Sequence, residues 1–163
     1  MPETEDALSV QERYAPENRC FGCGPANEKG LGLRSFPAED GEDGELTCDW
    51  QPEEHHQAFG NVLNGGVVGT LLDCHSNWTA AVYLMRRDGL DGPPCTVTLD
   101  FHVKLKRPTP TDQPVHLTAV PKPGEKPDRV VVEAALSSGG KVTATCTGTF
   151  VAVKPGHPAY HRW

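Results

Sequence analysis

A chain of 163 residues is one domain in length, and its net charge of −7, with 22 acidic against 15 basic side chains, leaves no basic excess for a nucleic-acid partner. Its apolar fraction of 37% and charged fraction of 23% suit a soluble globular protein with a slightly lean core, and a lean core often completes its burial against another subunit. No apolar run is long enough to cross a bilayer, and the acidic stretch Met1–Glu12 lacks the apolar centre of a signal peptide, so no membrane partner and a cytoplasmic location are expected.

Residues 1–19 are polar and read as an arm without a core of its own. The run Cys20-Phe-Gly-Cys-Gly-Pro-Ala-Asn-Glu-Lys-Gly-Leu-Gly-Leu is a series of turns. Glu45 to Trp50 reads as a short strand with Leu46, Cys48 and Trp50 on one face, and Pro52 to Leu63 as a loop that carries His55, His56 and Gln57. After Asn64-Gly65-Gly66 comes the one long helical pattern, from about Val67 to Arg87, stopped by Asp88-Gly89.

Four strands follow. Thr96 to Lys106 alternates, with Val97, Leu99, Phe101, Val103 and Leu105 on one face and Thr98, Asp100, His102, Lys104 and Lys106 on the other. Val115 to Val120 is a strand, Pro121 to Pro127 a turn and Arg129 to Leu136 a strand. Ser138-Gly139-Gly140 is a hairpin turn, and Lys141 to Val153 is the last strand. One helix followed by a meander predicts an α+β fold, an antiparallel sheet wrapped on that helix.

The helix has two unlike faces. Val67, Leu71, Cys74, Trp78, Val82 and Met85 form an apolar stripe that should pack on the sheet. Gly66, Gly69, Asp73, Ser76, Asn77 and Ala80 lie opposite, where a solvated face would carry Lys and Glu. Glycine within a helix costs roughly 0.5–1 kcal/mol against alanine, so something should cover this face too, either a partner subunit or a ligand. Asp73 would then be a carboxylate near an interface, and burial there makes it a candidate base or nucleophile. The competing reading is a structural, hydrogen-bonded Asp.

Among the cysteines, Cys20 and Cys23 have the spacing of half a zinc site. No second pair stands at ligand spacing, and His55 and His56 complete a set only if the fold brings them there. The expectation is therefore no metal, no cofactor and reduced thiols. Lys104, Lys106 and Arg107 form a basic cluster at a strand end, either a protected sheet edge or a dock for phosphates. His75 reads as structural.

The stretch from His56 through Asn64-Gly65-Gly66 to Asp73 resembles the signature of hotdog-fold thioesterases of the PaaI-like group. There, a loop ending in His-Gly-Gly or Asn-Gly-Gly opens the central helix, and an Asp follows nine residues after the His or Asn, as Asp73 follows Asn64 here. The Cys20 leader and the strand Thr98-Leu-Asp-Phe-His with Leu105-Lys-Arg-Pro are similar to further segments of these proteins.

The resemblance implies a hotdog domain over residues 20–154 with a tail at 155–163. It also implies a homodimer or homotetramer, and hydrolysis of an acyl-CoA to free acid and CoA. Gly65 would hold the thioester carbonyl through its amide, and Asp73 would activate water or attack. Asn64 takes the place of a His, and Gly66, Gln57, His56, Thr98, Lys104, Lys106 and Arg107 would line the substrate site. Gly60 falls one residue earlier than in the family pattern. A hotdog dehydratase and a non-catalytic acyl-CoA binding module are the competing functions. The first usually pairs its acid with a His, and Asn64 leaves Asp73 without an obvious one.

Overall fold

A computed structural model describes residues 7–163; residues 1–6 of the expected arm lie outside the described residues. The elements in chain order are α1 (Val10–Tyr14), β1 (Phe36–Pro37), β2 (Leu46–Trp50), a 3-10 turn (Glu54–His56), β3 (Gln57–Phe59), β4 (Val62–Leu63), α2 (Gly65–Asp88), β5 (Thr96–Leu105), β6 (Val115–Pro123), β7 (Arg129–Ser138) and β8 (Lys141–Ala152). Six strands form one antiparallel sheet in the order β1-β2-β6-β7-β8-β5, and β3 and β4 form a separate hairpin. This is the expected α+β hotdog architecture, one long helix against a large antiparallel sheet. No helix among the described residues is long and apolar enough to cross a membrane.

The long helix starts two residues before the expected Val67 because its cap is Asn64. The Asn64 carboxamide oxygen accepts from the amides of Gly66 at 2.8 Å and Val67 at 3.2 Å. At the other end Gly89 turns left-handed, and Arg86 and Arg87 sit in the last turn, at the negative end of the helix dipole.

The apolar stripe is buried as expected except at Val67, which is half-buried, but not all of it packs on the sheet. Cys74 and Trp78 meet the Cys20–Cys23 loop instead. The Trp78 indole N–H donates to Cys23 Sγ at 3.4 Å, and its ring stacks on Trp163 at 4.5 Å between centroids. The opposite face is also covered, and largely by this chain itself. Ser76, Asn77 and Ala80 are buried, and Thr96 of β5 donates to the Asn77 carboxamide at 2.6 Å. A Cβ on Gly69 would touch the Phe101 ring at 4.0 Å, and one on Gly65 would press on Leu105 Cδ1 at 3.3 Å. The small residues thus admit the large side chains of β5. Only the first turn, Gly65 and Gly66, stays exposed.

The strand β5 corrects the sequence reading most sharply. Its pairing with β8 slips between Thr98, opposite Phe150, and Asp100, opposite Thr149, so Leu99 is an extra residue in the ladder. A period-2 pattern inverts at such a bulge. Thr96 and Thr98 therefore join Phe101, Val103 and Leu105 on the helix side, whereas Val97 and Leu99 face the other way. Thr98 lies on the inner face rather than the outer one.

Three further segments depart from expectation. The presumed arm carries α1, fixed by a Ser9–Glu12 capping box, and Val10 and Ala15 join the core. The loop before the helix contains the β3–β4 hairpin, turned by Gly60 and Asn61, both with positive φ (46° and 64°) as a tight primed turn requires. The early glycine of this sequence is that turn. The strand β6 runs on through Pro121 to Pro123, because β2 ends opposite Ala119 and leaves the edge that needs no proline N–H.

His75 is structural, as read. Its ring is fully buried, and burial holds its pKa down to about 4, so it is neutral. Nε2–H donates to the Leu46 carbonyl at 3.0 Å, and Nδ1 accepts from the Ser35 hydroxyl at 2.8 Å. Ser35 accepts in turn from the Gln11 amide at 3.0 Å, so α1, β2 and α2 share one satisfied buried network.

Candidate active site

Asp73 lies in the middle of α2 and is partly buried under β5. The Thr98 hydroxyl donates to its carboxylate at 2.7 Å, its only hydrogen-bond partner among the described residues. Burial raises the Asp73 pKa above the ordinary carboxylate value. The Thr98 hydrogen bond opposes this, nearby Cys20 adds to it, and the Arg162 guanidinium opposes it. A half-desolvated carboxylate with one donor is poised to take a proton or to attack.

The helix N-terminus provides the opposite kind of group. Asn64 occupies the amides of Gly66 and Val67, and no acceptor among the described residues takes the amide of Gly65. That N–H is exposed at the positive end of a helix of 24 residues. The Asn64 side chain is thereby committed to capping, and the Gly66 amide is already occupied.

Two grooves flank this first turn. One, of about 430 Å³, is lined by Gly65, Val68, Phe59, Leu105, Lys106 and Arg107 among others. The second, of about 260 Å³, holds His56, Gln57, Asn64, Val67, Phe21 and Lys29 among its walls. The His56 backbone carbonyl accepts from the Asn64 amide at 2.9 Å, tying the loop to the helix start, while its Nδ1 accepts from the Glu53 amide. The Gln57 side chain folds back onto the hairpin, accepting from the Asn61 amide at 3.3 Å.

The basic cluster divides. Lys106 and Arg107 reach the groove at Gly65, whereas Lys104 lines a separate one with His102, Thr145 and Thr147. Lys104 lies within β5, whereas Lys106 and Arg107 follow its end at Leu105, where their two amides share the Thr143 carbonyl and the strand's alternation no longer holds.

Within one chain Gly65 and Asp73 do not meet. Eight helical residues separate them by about 12 Å along the axis. Arg162, 89 positions beyond Asp73, escaped the sequence reading because a contact of that span leaves no local pattern. Cys74 likewise joins Cys20 and Cys23, whereas His55 and His56 group with Glu53 at an exposed site of their own.

No family model matches the sequence, and no curated protein matches it. Solved structures do. A thioesterase-superfamily protein from Shewanella loihica PV-4 superposes with a TM-score of 0.62 at 24% identity, over 80% of this chain and 98% of that one. The PaaI protein of the E. coli phenylacetic acid degradation operon superposes at 0.64 with 15% identity, over 79% and 85%. Zebrafish thioesterase superfamily member 2 does so at 0.63 with 19% identity, over 90% and 100%. The chain therefore has the fold of thioesterase-superfamily proteins. Among those it resembles is PaaI, the group to which the sequence motif pointed.

Proposed function

We propose that the protein is an acyl-CoA thioesterase, with Asp73 as base or nucleophile and the Gly65 amide as the donor that holds the thioester carbonyl. The observation that carries the reading is the pairing of an unclaimed amide at a helix N-terminus with a half-buried carboxylate on the same helix. A thioester carbonyl gains negative charge as it is attacked, and a fixed N–H at the positive end of a helix stabilises that charge. The Asp73–Thr98 pair has no His, which disfavours the dehydratase reading. Six free cysteines fit a reducing compartment, here taken as the cytoplasm. Release of free CoA thiol from a panel of alkyl- and aryl-CoA substrates tests the proposal. Tight binding with no thiol released by any of them would leave a binding module instead.

The distance between Gly65 and Asp73 calls for a second copy, so that one site takes Gly65 from one chain and Asp73 from the other. The edge strand β5 suits this role. Among the described residues it pairs only with β8, and Leu99, Phe101 and Leu105 on it remain 53%, 44% and 60% exposed. An unpaired edge with large apolar side chains is a place for another chain to add. Sedimentation should give a dimer or tetramer at micromolar concentration; a stable monomer would refute this assembly.

The groove at Gly65 carries Lys106 and Arg107, and we assign them to the CoA phosphates. Lys106→Glu with Arg107→Glu should raise KM for an acyl-CoA several-fold to about tenfold while sparing a short pantetheine thioester. Lys104→Glu should have the smaller effect. Equal changes on both substrates would contradict the assignment.

A further inference from the structure

The thiols of Cys20, Cys23 and Cys74 converge although they come from two distant parts of the chain. Their three sulfur atoms all lie within 4.8 Å of one another, and Cys20 Sγ stands 3.8 Å from Cys74 Sγ. That separation is too long for a disulfide bond and matches the edge of a tetrahedral zinc–thiolate centre, about 3.8 Å when Zn–S is about 2.3 Å.

The loop is built for this approach. Gly24 N–H closes a tight turn on the Cys20 carbonyl at 2.8 Å. The Cys20 amide is held by the Asn18 side chain at 2.7 Å, and Leu31 and Leu33 pin the turn through the carbonyls of Phe21 and Gly22. A side chain at Gly22 would overlap Cys74 Sγ and crowd Thr70, so the glycine is what lets the turn reach the helix. The Trp78 indole N–H points at Cys23 Sγ, a donor that favours the thiolate. Cys20 is half-buried and gives a path in, whereas Cys23 and Cys74 are buried.

We propose that Cys20, Cys23 and Cys74 form a three-thiolate site for a thiophilic d10 cation, Zn(II) or Cu(I). The donor set of three sulfurs excludes hard cations such as magnesium and calcium. Zn(II) leaves a fourth position open to solvent or a small ligand, and Cu(I) fills a trigonal site without one. The sequence concealed the site because a metal reading looks for a second close pair. Here the third ligand is a lone cysteine on the helix, 51 positions beyond Cys23.

The test uses the full chain, reduced and stripped with a chelator. Zn(II) is titrated against a chromophoric chelator, Cu(I) against a Cu(I)-specific one, and Co(II) serves as an optical probe of zinc geometry. One equivalent of Zn(II) or Cu(I) per chain is expected, and the two titrations tell which ion is preferred. For a zinc site, Co(II) should give sulfur-to-metal charge-transfer absorption with tetrahedral ligand-field bands. Cys20→Ser and Cys74→Ser should each lose more than the roughly 10–100-fold in affinity that changes around a metal site cost. Cys48→Ser, outside the cluster, should bind as wild type does. Circular dichroism separates lost ligands from lost fold, and the half-buried Cys20→Ser keeps the test interpretable if Cys74→Ser does not fold. The proposal is overturned if neither ion binds stoichiometrically. It is also overturned if a folded Cys20→Ser binds as well as Cys48→Ser, or if the thiols take up no metal after reduction and return to a Cys20–Cys74 disulfide.

Discussion

Asp73→Asn should lower kcat for an acyl-CoA by roughly 10²–10⁴-fold, the range expected when a positioned acid–base group is removed. Asparagine is nearly isosteric and still accepts the Thr98 hydrogen bond, so fold and assembly should survive. Gly65→Pro should lose about 10²–10³-fold independently, by deleting the carbonyl-holding N–H. Proline is tolerable there for two reasons. Gly65 is the first residue of the helix, where proline is at home. Asn64 before it already has the extended backbone, φ −58° and ψ 133°, that a following proline imposes. The flexible end of Leu105 must yield by a few tenths of an ångström. Co-refolding the two inactive variants is then decisive. Mixed dimers hold one site with both defects and one with neither, so activity should reappear. Near-normal kcat in Asp73→Asn would remove Asp73 from the mechanism. Mixed dimers that form and stay inactive would remove the shared site while leaving Asp73 in place.

The largest loss of stability should come from Trp78→Ala, at about 3–5 kcal/mol and a fall in Tm of roughly 6–20 °C. Trp78 is 1% exposed and joins three parts of the chain: its own helix, the Cys20–Cys23 loop, and the C-terminal tail through Trp163. Truncation opens a cavity where those parts meet, and none of them can close it without moving the others. Denaturant unfolding followed by circular dichroism should show a lower midpoint with an unchanged slope. A loss below about 1 kcal/mol would mean that the tail and loop collapse freely into the space. Phe150→Ala, fully buried on β8, is a comparison that spares the tail.

Local chemistry in the sequence was enough for the long helix, the four long strands and the two candidate groups. A capping Asn64 before two glycines, a Gly89 stop and a 3.6-residue stripe act within a few turns of backbone, so their meaning does not depend on distant residues. Asp73 stood out for the same reason, as a carboxylate among small residues on one helix face. The hairpin at Gly60-Asn61 and the α1 capping box were equally local, and were passed over because each element is only a few residues long.

Tertiary structure decided the rest. The bulge at Leu99 arises from pairing with β8, and it reverses the side on which Thr98 lies, so Asp73 acquires its donor from a residue the alternation had placed outward. The end of β5 at Leu105, where the amides of Lys106 and Arg107 share one carbonyl, parts those two from Lys104. Cys74 reaches Cys20 and Cys23, and Arg162 and Trp163 reach the helix, across 51 to 89 positions of chain. Contacts of that span depend on how the loop and tail close over the helix. Period and spacing record only what neighbouring residues impose on one another, so they fixed each element and left these meetings to the packing.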